Sequence, residues 1–168
     1  METIKVTHPF PPLYRQDSEI LILGSFPSVK SRDQGFFYGH PQNRFWKVTA
    51  AVFDAPVPGT IEEKKLFLFD HHIALWDVIA SCEIRGSSDA SIRNAVPTDL
   101  TPILAGSRIR RIFANGRTAW SLFQKYQKPL LERENSALAD AVYLPSTSPA
   151  NAAKHLEDLI EDWSVLRG

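Results

Sequence analysis

The segment FFYGHPQNRFW, residues 36–46, carries more chemical groups than a structural element of that length needs. Five of its eleven residues are aromatic and offer flat apolar faces: Phe36, Phe37, Tyr38, Phe45 and Trp46. Between them lie hydrogen-bonding side chains, among them His40, Asn43 and Arg44. A core-facing helix start is the alternative, and it accounts for Phe45 and Trp46 but not for the polar groups. The segment therefore favours a site that stacks a flat ligand and hydrogen-bonds its edge.

Four short apolar runs predict the buried strands that would position such a site. They cover residues 19–24, 73–79, 110–114 and 141–144. Helical patterns lie over residues 43–53, 60–70 and 99–105, from the Asn115-Gly116 turn to about residue 126, and over 152–166. Strands that alternate with helices pair in parallel through right-handed crossovers. The sequence therefore predicts an α/β fold, a three-layer α/β/α domain whose central, mostly parallel sheet has about four strands, and residues 1–168 form this single domain.

In such a sheet, ligands bind beyond the carboxyl ends of the strands. This geometry gathers four loops, whose sequences are GSFPS, WDVIAS, ANG and LPSTSPAN. The first loop contains Gly24, Ser25, Phe26 and Ser28, with Lys30 close behind. Small residues let backbone N–H groups approach an anion, and a nearby cation adds charge. The loop is therefore a candidate phosphate site, and an ordinary turn after a strand is the alternative.

The last loop, residues 145–151, contains the hydroxyl groups of Ser146, Thr147 and Ser148 before Pro149. A helix start is one explanation, with Ser148 as N-cap and Pro149 at the first helical position. That explanation uses one hydroxyl group and leaves two unexplained. Hydroxyl groups and helix-start amides together can also bind a phosphate.

Asp77 and Asn115 each follow a predicted buried strand. A carboxylate in the apolar context ALWDVIA must find a partner or shift its pKa, because burial penalises an unpaired charge. An N-cap role for the next segment is the alternative for Asp77, and a strand-to-helix turn explains Asn115-Gly116. The Pro-rich residues 8–16 are predicted to form an ordered loop, since its apolar side chains need cover.

Composition excludes several classes of protein. Lysine plus arginine and aspartate plus glutamate number 19 each, so charge does not indicate a nucleic-acid partner and does not exclude one. The single cysteine, Cys82, excludes a disulfide framework and a Cys-rich zinc site. No signal-peptide or membrane-spanning pattern occurs, which predicts a cytoplasmic protein without a membrane partner. Neither HExxH nor HxH is present, nor a Gly-rich nucleotide loop, so we expect no metal and no cofactor.

Together, these motifs resemble the uracil-DNA glycosylase superfamily over roughly residues 20–166. HPQNRFWKV, residues 40–48, looks very like a segment of the mismatch-specific uracil-DNA glycosylases. In the first motif, those enzymes carry an asparagine that orients the attacking water, and other branches carry an aspartate. This chain has Phe26 at that position. GSFPS with HPQNRFW and STSPAN instead resembles the hypoxanthine-DNA glycosylase branch. In that branch an asparagine of the second segment is taken as catalytic, and here it is Asn43.

The resemblance implies a monofunctional DNA glycosylase of base excision repair, which hydrolyses the N-glycosidic bond of a deaminated base flipped out of DNA. Hypoxanthine is the first choice of base, the partner is DNA, and the enzyme acts as a monomer, nucleoid-associated if the source is prokaryotic. Asn43 would position the attacking water. The base would contact Gly24, Ser25, Phe26, Phe37, Tyr38, Asp77 and Asn115, and DNA would contact Ser28, Lys30, His40, Arg44, Ser146, Thr147, Ser148, Asn151 and Lys154.

Three other functions remain open from the sequence. The first is a glycosylase acting mainly on uracil, since one hydrogen bond in the pocket can switch the preferred base. The second is a catalytically silent nucleic-acid binder, because Phe26 replaces the usual polar residue of the first motif. The third, an enzyme acting on nucleotides, would require a longer phosphate loop. The last loop offers only small residues, Ala150 to Ala152, as a wedge, which favours base pairs that open at low cost.

Overall fold

The computed structural model describes residues 2–168, and seven strands form two sheets in it. The strands are β1 (Thr3–Thr7), β2 (Ile20–Gly24), β3 (Ile73–Asp77), β4 (Ile79–Arg85), β5 (Arg93–Pro97), β6 (Arg111–Asn115) and β7 (Val142–Leu144). The central sheet has the order β3-β2-β6-β7, and all of its neighbours pair in parallel. The predicted parallel sheet of four strands is confirmed.

The helices are α1 (Val29–Gln34), α2 (Phe45–Val52), α3 (Ile61–Asp70), α4 (Thr101–Ala105), α5 (Arg117–Leu122), α6 (Lys128–Arg133) and α7 (Leu156–Trp163). A π-helical stretch, Phe123–Gln127, joins α5 to α6. The start of α3 is fixed by a capping box. The Thr60 hydroxyl accepts from the Glu63 N–H, and the Glu63 carboxylate accepts from the Thr60 N–H, at 3.1 and 2.9 Å.

Strand β2 shows why the fold has three layers. Its side chains alternate between the two faces of the sheet. Ile20 and Ile22 join the core that contains α2, α3 and α7, whereas Leu21 and Leu23 join the core on the opposite face. Because both faces are buried, the strand is apolar throughout, and the predicted α/β/α arrangement is confirmed.

The second sheet was not predicted from the sequence. Residues 73–79 were expected to form a buried strand and its exit, and β3 does end at Asp77, but a new strand, β4, begins at Ile79. Strand β4 is the centre of an antiparallel sheet of order β1-β4-β5. The β1 strand gives little signal because its side chains are exposed or half-buried. Beyond β1, the His8 N–H donates to the Ala80 carbonyl at 2.8 Å, which brings the N-terminal segment beside the end of β3.

Two expectations about helices were wrong. The last helix begins at Leu156, not at Ala152, and its N-cap is His155. Ser148 is therefore not a helix N-cap, and Pro149 lies in a turn. Helix α1 was not predicted; Ser28 caps its start, with the Ser31 N–H donating to the Ser28 hydroxyl at 3.1 Å.

Candidate active site

A cavity of about 740 Å³ lies at the carboxyl ends of the central strands. The four predicted loops meet there, as expected for a parallel sheet. The chain segment Ser87–Ala90, to which the sequence assigned no role, forms part of the wall. All predicted site residues line the cavity except Lys30, Arg44 and Lys154.

Thr147 connects two of the predicted site residues below the cavity. Its side chain is fully buried. The Thr147 hydroxyl accepts from Asn115 Nδ2 at 3.0 Å and donates to Asn43 Oδ1 at 2.9 Å. The Thr147 N–H donates to Asn115 Oδ1 at 3.1 Å. Since all its polar groups are used, Thr147 cannot meet a DNA phosphate, which corrects the role predicted for it.

These contacts fix the direction of the Asn43 amide. The Phe45 backbone N–H donates to Asn43 Oδ1 at 2.9 Å, and a backbone N–H can only donate. The atom that it meets is therefore the oxygen, which also accepts from Thr147. The Asn43 NH₂ group makes no hydrogen bond within residues 2–168, so it is the end that can donate to a molecule in the cavity.

Arg44 holds the last loop instead of facing the cavity. Its guanidinium donates to the carbonyls of Ser148, Asn151 and Lys154 at 3.0, 2.9 and 2.6 Å. The planar fork of an arginine suits such convergent acceptors. Arg44 therefore positions the backbone of residues 148–154, which departs from the phosphate contact that the sequence predicted. Lys154 pairs with Asp162 at 3.0 Å, outside the cavity lining.

Asp77 is buried, as predicted, with 4% of its surface exposed. Its partner is His8, whose Nε2 lies 2.7 Å from Asp77 Oδ2. The His8 side chain is 3% exposed and lies against the rings of Trp76, Phe10 and Phe26, at centroid distances of 4.2, 4.7 and 5.8 Å. The N-cap alternative for Asp77 does not hold, because β4 follows it instead of a helix.

Gly24 allows this carboxylate to approach the first motif. A Cβ atom added to Gly24 would lie 2.5 Å from Asp77 Oδ1 and 3.2 Å from the Tyr38 hydroxyl. Any side chain at position 24 would therefore displace a group of the cavity wall. The close approach of the Asp77 carboxylate therefore requires a glycine at position 24.

The aromatic residues of the second segment divide between the core and the cavity. Phe37 is 3% exposed, and its ring meets Phe10 edge-on at 4.9 Å, so only part of it contributes to the cavity wall. Tyr38 stacks on Phe45 at 4.0 Å with an angle of 12° between the rings. Its backbone φ is 50°, which costs a bulky residue about 1–3 kcal/mol and is held by this packing. Burial, followed by the Asp77 charge, raises the pKa of Tyr38, so the hydroxyl stays neutral.

The polar wall residues that the sequence analysis missed include Asp89, Arg117 and Tyr143. The Ser25 hydroxyl donates to Asp89 Oδ1 at 2.9 Å, and desolvation by the neighbouring walls raises the pKa of Asp89, although the residue remains exposed to solvent. Arg117 lies over the Tyr143 ring at 5.8 Å. Asp89 follows no buried strand, and Arg117 begins a helix whose sequence is typical of a surface helix. The residues next to them in the sequence therefore do not mark either one as part of a site.

His8 is the missed residue with the strongest contacts. Its position before Pro9 in a loop gave no hint of a partner 69 residues away. The available signal was the unpaired Asp77 carboxylate, which required a donor somewhere in the chain. Only the pairing of β1 with β4 identifies that donor, and β1 lacks an apolar pattern.

The mouth of the cavity offers groups for a DNA backbone. The Gln42 N–H donates to His40 Nδ1 at 3.1 Å, so Nε2 is the ring nitrogen left to donate. Ser148, Ser146 and Asn151 line the opposite side. Asn151 also donates to the Ser146 carbonyl at 3.0 Å, and Ser148 accepts from the Ala150 N–H at 3.2 Å. Within residues 2–168, no three metal-binding side chains cluster, and no helix has the length and apolarity to cross a bilayer.

Known proteins resemble this chain over most of its length. The model of the Uracil DNA glycosylase superfamily matches residues 11–167. A Methanosarcina acetivorans protein named hypoxanthine DNA glycosylase is 33% identical over 144 residues, or 84% of this chain and 86% of that protein. A protein of the same name from Methanosarcina barkeri is 34% identical over 86 residues, or 51% of this chain and 54% of that protein.

A solved structure shows a similar fold. The solution NMR structure of a candidate uracil DNA glycosylase from Methanosarcina acetivorans superposes with a TM-score of 0.76. The two chains are 28% identical, and the match covers 98% of this chain and 100% of the other. From the family match and this similarity, the chain belongs to the uracil DNA glycosylase superfamily.

Proposed function

We propose that this protein is a DNA glycosylase that removes a deaminated base, hypoxanthine first, from DNA. The observation that carries the proposal is the cavity at the carboxyl edge of the sheet, into which Asn43 directs its NH₂ group. A volume of about 740 Å³ is sufficient for a flipped nucleotide but small for a folded partner. The relative named hypoxanthine DNA glycosylase, 33% identical, supports the choice of base.

The reaction breaks the bond between the sugar and the base, leaving a cationic sugar and an anionic base. Asn43 would donate from Nδ2 to a water and hold it near the sugar. The water then attacks the cationic sugar through its free lone pair, and the proton that it loses balances the charge of the departing anionic base. An amide is not a base, so attack follows once the sugar is strongly cationic. Preorganised groups of the first and last loops would favour the developing charge on the base. No lysine is among the residues lining the cavity, so a Schiff-base step is not part of the proposal.

Positioning of Asn43 would depend on Thr147. A catalytic amide that is free to rotate presents its oxygen or its nitrogen, whereas this one is held by two donors. Such preorganisation avoids the cost of orienting the group during the reaction. The role proposed for Thr147 is therefore positional.

Two alternatives differ in their predicted products. A uracil-specific enzyme would use the same cavity, and a silent binder would hold the base without hydrolysis. Phe26 lines the cavity at the place where the resemblance assigns an asparagine or aspartate to other branches of the superfamily, which favours the silent binder only if Asn43 is not catalytic.

A cleavage assay with a panel of bases tests the proposal. Oligonucleotides with one deoxyinosine, deoxyuridine or deoxyxanthosine are incubated with the protein in EDTA, as duplexes and as single strands, and then treated with alkali. We expect alkali-dependent cleavage, fastest at deoxyinosine. Cleavage at deoxyuridine alone would assign the uracil alternative, and binding without cleavage would assign the silent binder.

We further propose that the enzyme works as a monomer in the cytoplasm, where a prokaryotic nucleoid would supply its substrate. A single chain provides every wall of the cavity, so no second copy is needed to complete the site. Sedimentation of the protein with and without a deoxyinosine oligonucleotide tests the monomer.

A further inference from the structure

His8 and Asp77 form a buried pair directly below the cavity. One carboxylate oxygen, Oδ2, accepts from His8 Nε2 at 2.7 Å. The other, Oδ1, makes no hydrogen bond within residues 2–168 and lies on the cavity side, beside Gly24. The contact with His8 therefore occupies Oδ2 and leaves Oδ1 as the free acceptor beside the cavity.

The surroundings of His8 fix its ring. Trp76, Phe10 and Phe26 surround the imidazole, and its side chain is 3% exposed. His8 Nδ1 is buried without a partner, so the contact with Asp77 is the only hydrogen bond of the ring within residues 2–168. A buried polar ring with one partner has a single favourable orientation. This orientation controls the rotation of the Asp77 carboxylate.

Tyr38 packs beside that acceptor. Its hydroxyl is buried, and the hydroxyl and Asp77 Oδ1 lie 3.2 and 2.5 Å from the same point, the position of a Cβ atom added to Gly24. Asp77 Oδ1 is therefore the acceptor that a bound base can reach, and an acceptor at this position complements a ring N–H.

Deamination creates such a ring N–H. Hypoxanthine and uracil each carry an N–H beside a C=O, whereas adenine and cytosine carry a bare ring nitrogen beside an amino group. The parent bases would place a lone pair against the Asp77 carboxylate. Sites built to bind one such group reject the analogue that lacks it, because their own polar groups are left unpaired.

We propose that His8 is a positioning residue that holds Asp77 as the acceptor for the ring N–H of a deaminated base. This inference rests on the proposed glycosylase function and deepens it. It explains how one cavity would distinguish a deaminated base from its parent.

The test compares two substrates that differ at this edge. Deoxyinosine presents the N–H and C=O, whereas deoxynebularine carries purine, which has a bare nitrogen and no oxygen. Single-turnover excision from otherwise identical oligonucleotides gives a ratio of rates that does not depend on the amount of active protein. For the wild type we expect a ratio of at least about 100 in favour of deoxyinosine.

Single and double variants separate the contributions of Asp77 and His8 to this ratio. Asp77→Asn turns the acceptor into a donor without changing its size, and we expect the ratio to fall at least about tenfold. His8→Phe keeps a ring against Trp76 but loses the donor, and we expect a similar fall. His8→Gln retains a nitrogen donor at similar reach and should keep most of the wild-type ratio. In the Asp77→Asn background, His8→Phe should not lower the ratio further, since His8 acts through the Asp77 carboxylate.

An unchanged ratio in Asp77→Asn would overturn the role of Asp77 as acceptor for the base. An unchanged ratio in His8→Phe would overturn the positioning role of His8. Circular dichroism checks that each variant is folded, and His8→Leu replaces His8→Phe if the ring does not fit. Failure of the wild type to excise hypoxanthine or uracil would overturn the proposed function itself. A wild type that excises hypoxanthine and purine equally would overturn only this inference.

Discussion

The Thr147 hydroxyl lies 2.9 Å from Asn43 Oδ1 and donates a hydrogen bond to it, although the two residues are 104 positions apart in the chain. The contact joins the second aromatic segment to the last loop. It leaves the Asn43 NH₂ group as the part of the side chain that can contact a ligand. The orientation of the proposed catalytic group therefore depends on a buried threonine.

Replacing Thr147 by valine should impair both stability and activity. The valine has the same shape but leaves Asn43 and Asn115 without a hydroxyl partner, and a buried polar group without a partner costs about 1–3 kcal/mol. We expect the free energy of unfolding in urea to fall by about that amount and the excision rate to fall about tenfold or more. Thr147→Ser, which keeps the hydroxyl, is the control and should retain most of the rate. Equal rates in the two variants would contradict the positional role.

Gly24→Ala should reduce activity through a steric clash. The new methyl group would lie 2.5 Å from Asp77 Oδ1, closer than real Cβ atoms approach other atoms. We expect excision to slow at least about tenfold, because active-site displacements near 1 Å cost rates of this order or more. Gly59→Ala is the matched control, since its methyl group would meet only the flexible Glu63 carboxylate at 3.5 Å. Single-turnover rates of both variants check the prediction, and a similar loss in the control would contradict it.

Arg44 should influence DNA binding through the shape of the last loop. Arg44→Gln loses the planar fork that reaches the carbonyls of Ser148 and Asn151, together with the positive charge. Hydrogen exchange of the amides in residues 148–154 should accelerate. The slope of log K against log salt for DNA should stay the same, whereas loss of a phosphate contact would reduce it by about one. Lys47→Ala on the exposed face of α2 serves as the control for charge.

Asp89 should make stability depend on pH. Desolvation by the neighbouring walls, with the Asp77 charge adding to it, outweighs the hydrogen bond from Ser25 and raises the pKa of Asp89, although the residue remains exposed to solvent. The folded state then binds the proton more tightly than the unfolded state. This contribution to stability is complete below the ordinary aspartate pKa of about 3.9 and is lost as the pH rises through the raised value. The Tm of Asp89→Asn relative to the wild type should therefore increase with pH.

Asp99 provides a contrast of opposite sign. The Thr101 N–H donates to Asp99 Oδ1 at 3.0 Å, and this bond holds the pKa of the carboxyl below its usual range. Its contribution is present above the ordinary pKa and is lost on acidification. The Tm of Asp99→Asn relative to the wild type should therefore decrease as the pH rises from acid to neutral. Melting curves of both variants across pH 3–7 check the signs, and parallel curves would contradict the assignments.

The sequence predicted the elements whose signals are local. Strand β2 is apolar throughout because both faces of the central sheet are covered, and Thr60 with Glu63 marks the start of α3. Asp77 could be recognised because a carboxylate in an apolar strand requires a partner. These features depend on a few neighbouring residues.

The features that could not be predicted depend on long-range contacts. His8 meets Asp77 only because an exposed strand, β1, pairs with β4. Thr147 has the same local sequence character as Ser146 and Ser148, yet it alone of the three is fully buried. The three carbonyl acceptors of Arg44 belong to a loop more than 100 residues away. Backbone acceptors of this kind leave no pattern in a sequence.

The most direct test of the account is single-turnover excision of hypoxanthine from a deoxyinosine oligonucleotide in EDTA, followed by alkali. Wild type is compared with Asn43→Ala and with Gln42→Ala, a change at the exposed neighbouring residue. The account predicts alkali-dependent cleavage by wild type and Gln42→Ala, and a rate for Asn43→Ala lower by at least about 100-fold. Full activity of Asn43→Ala, or no cleavage by the wild type at any deaminated base, would contradict it.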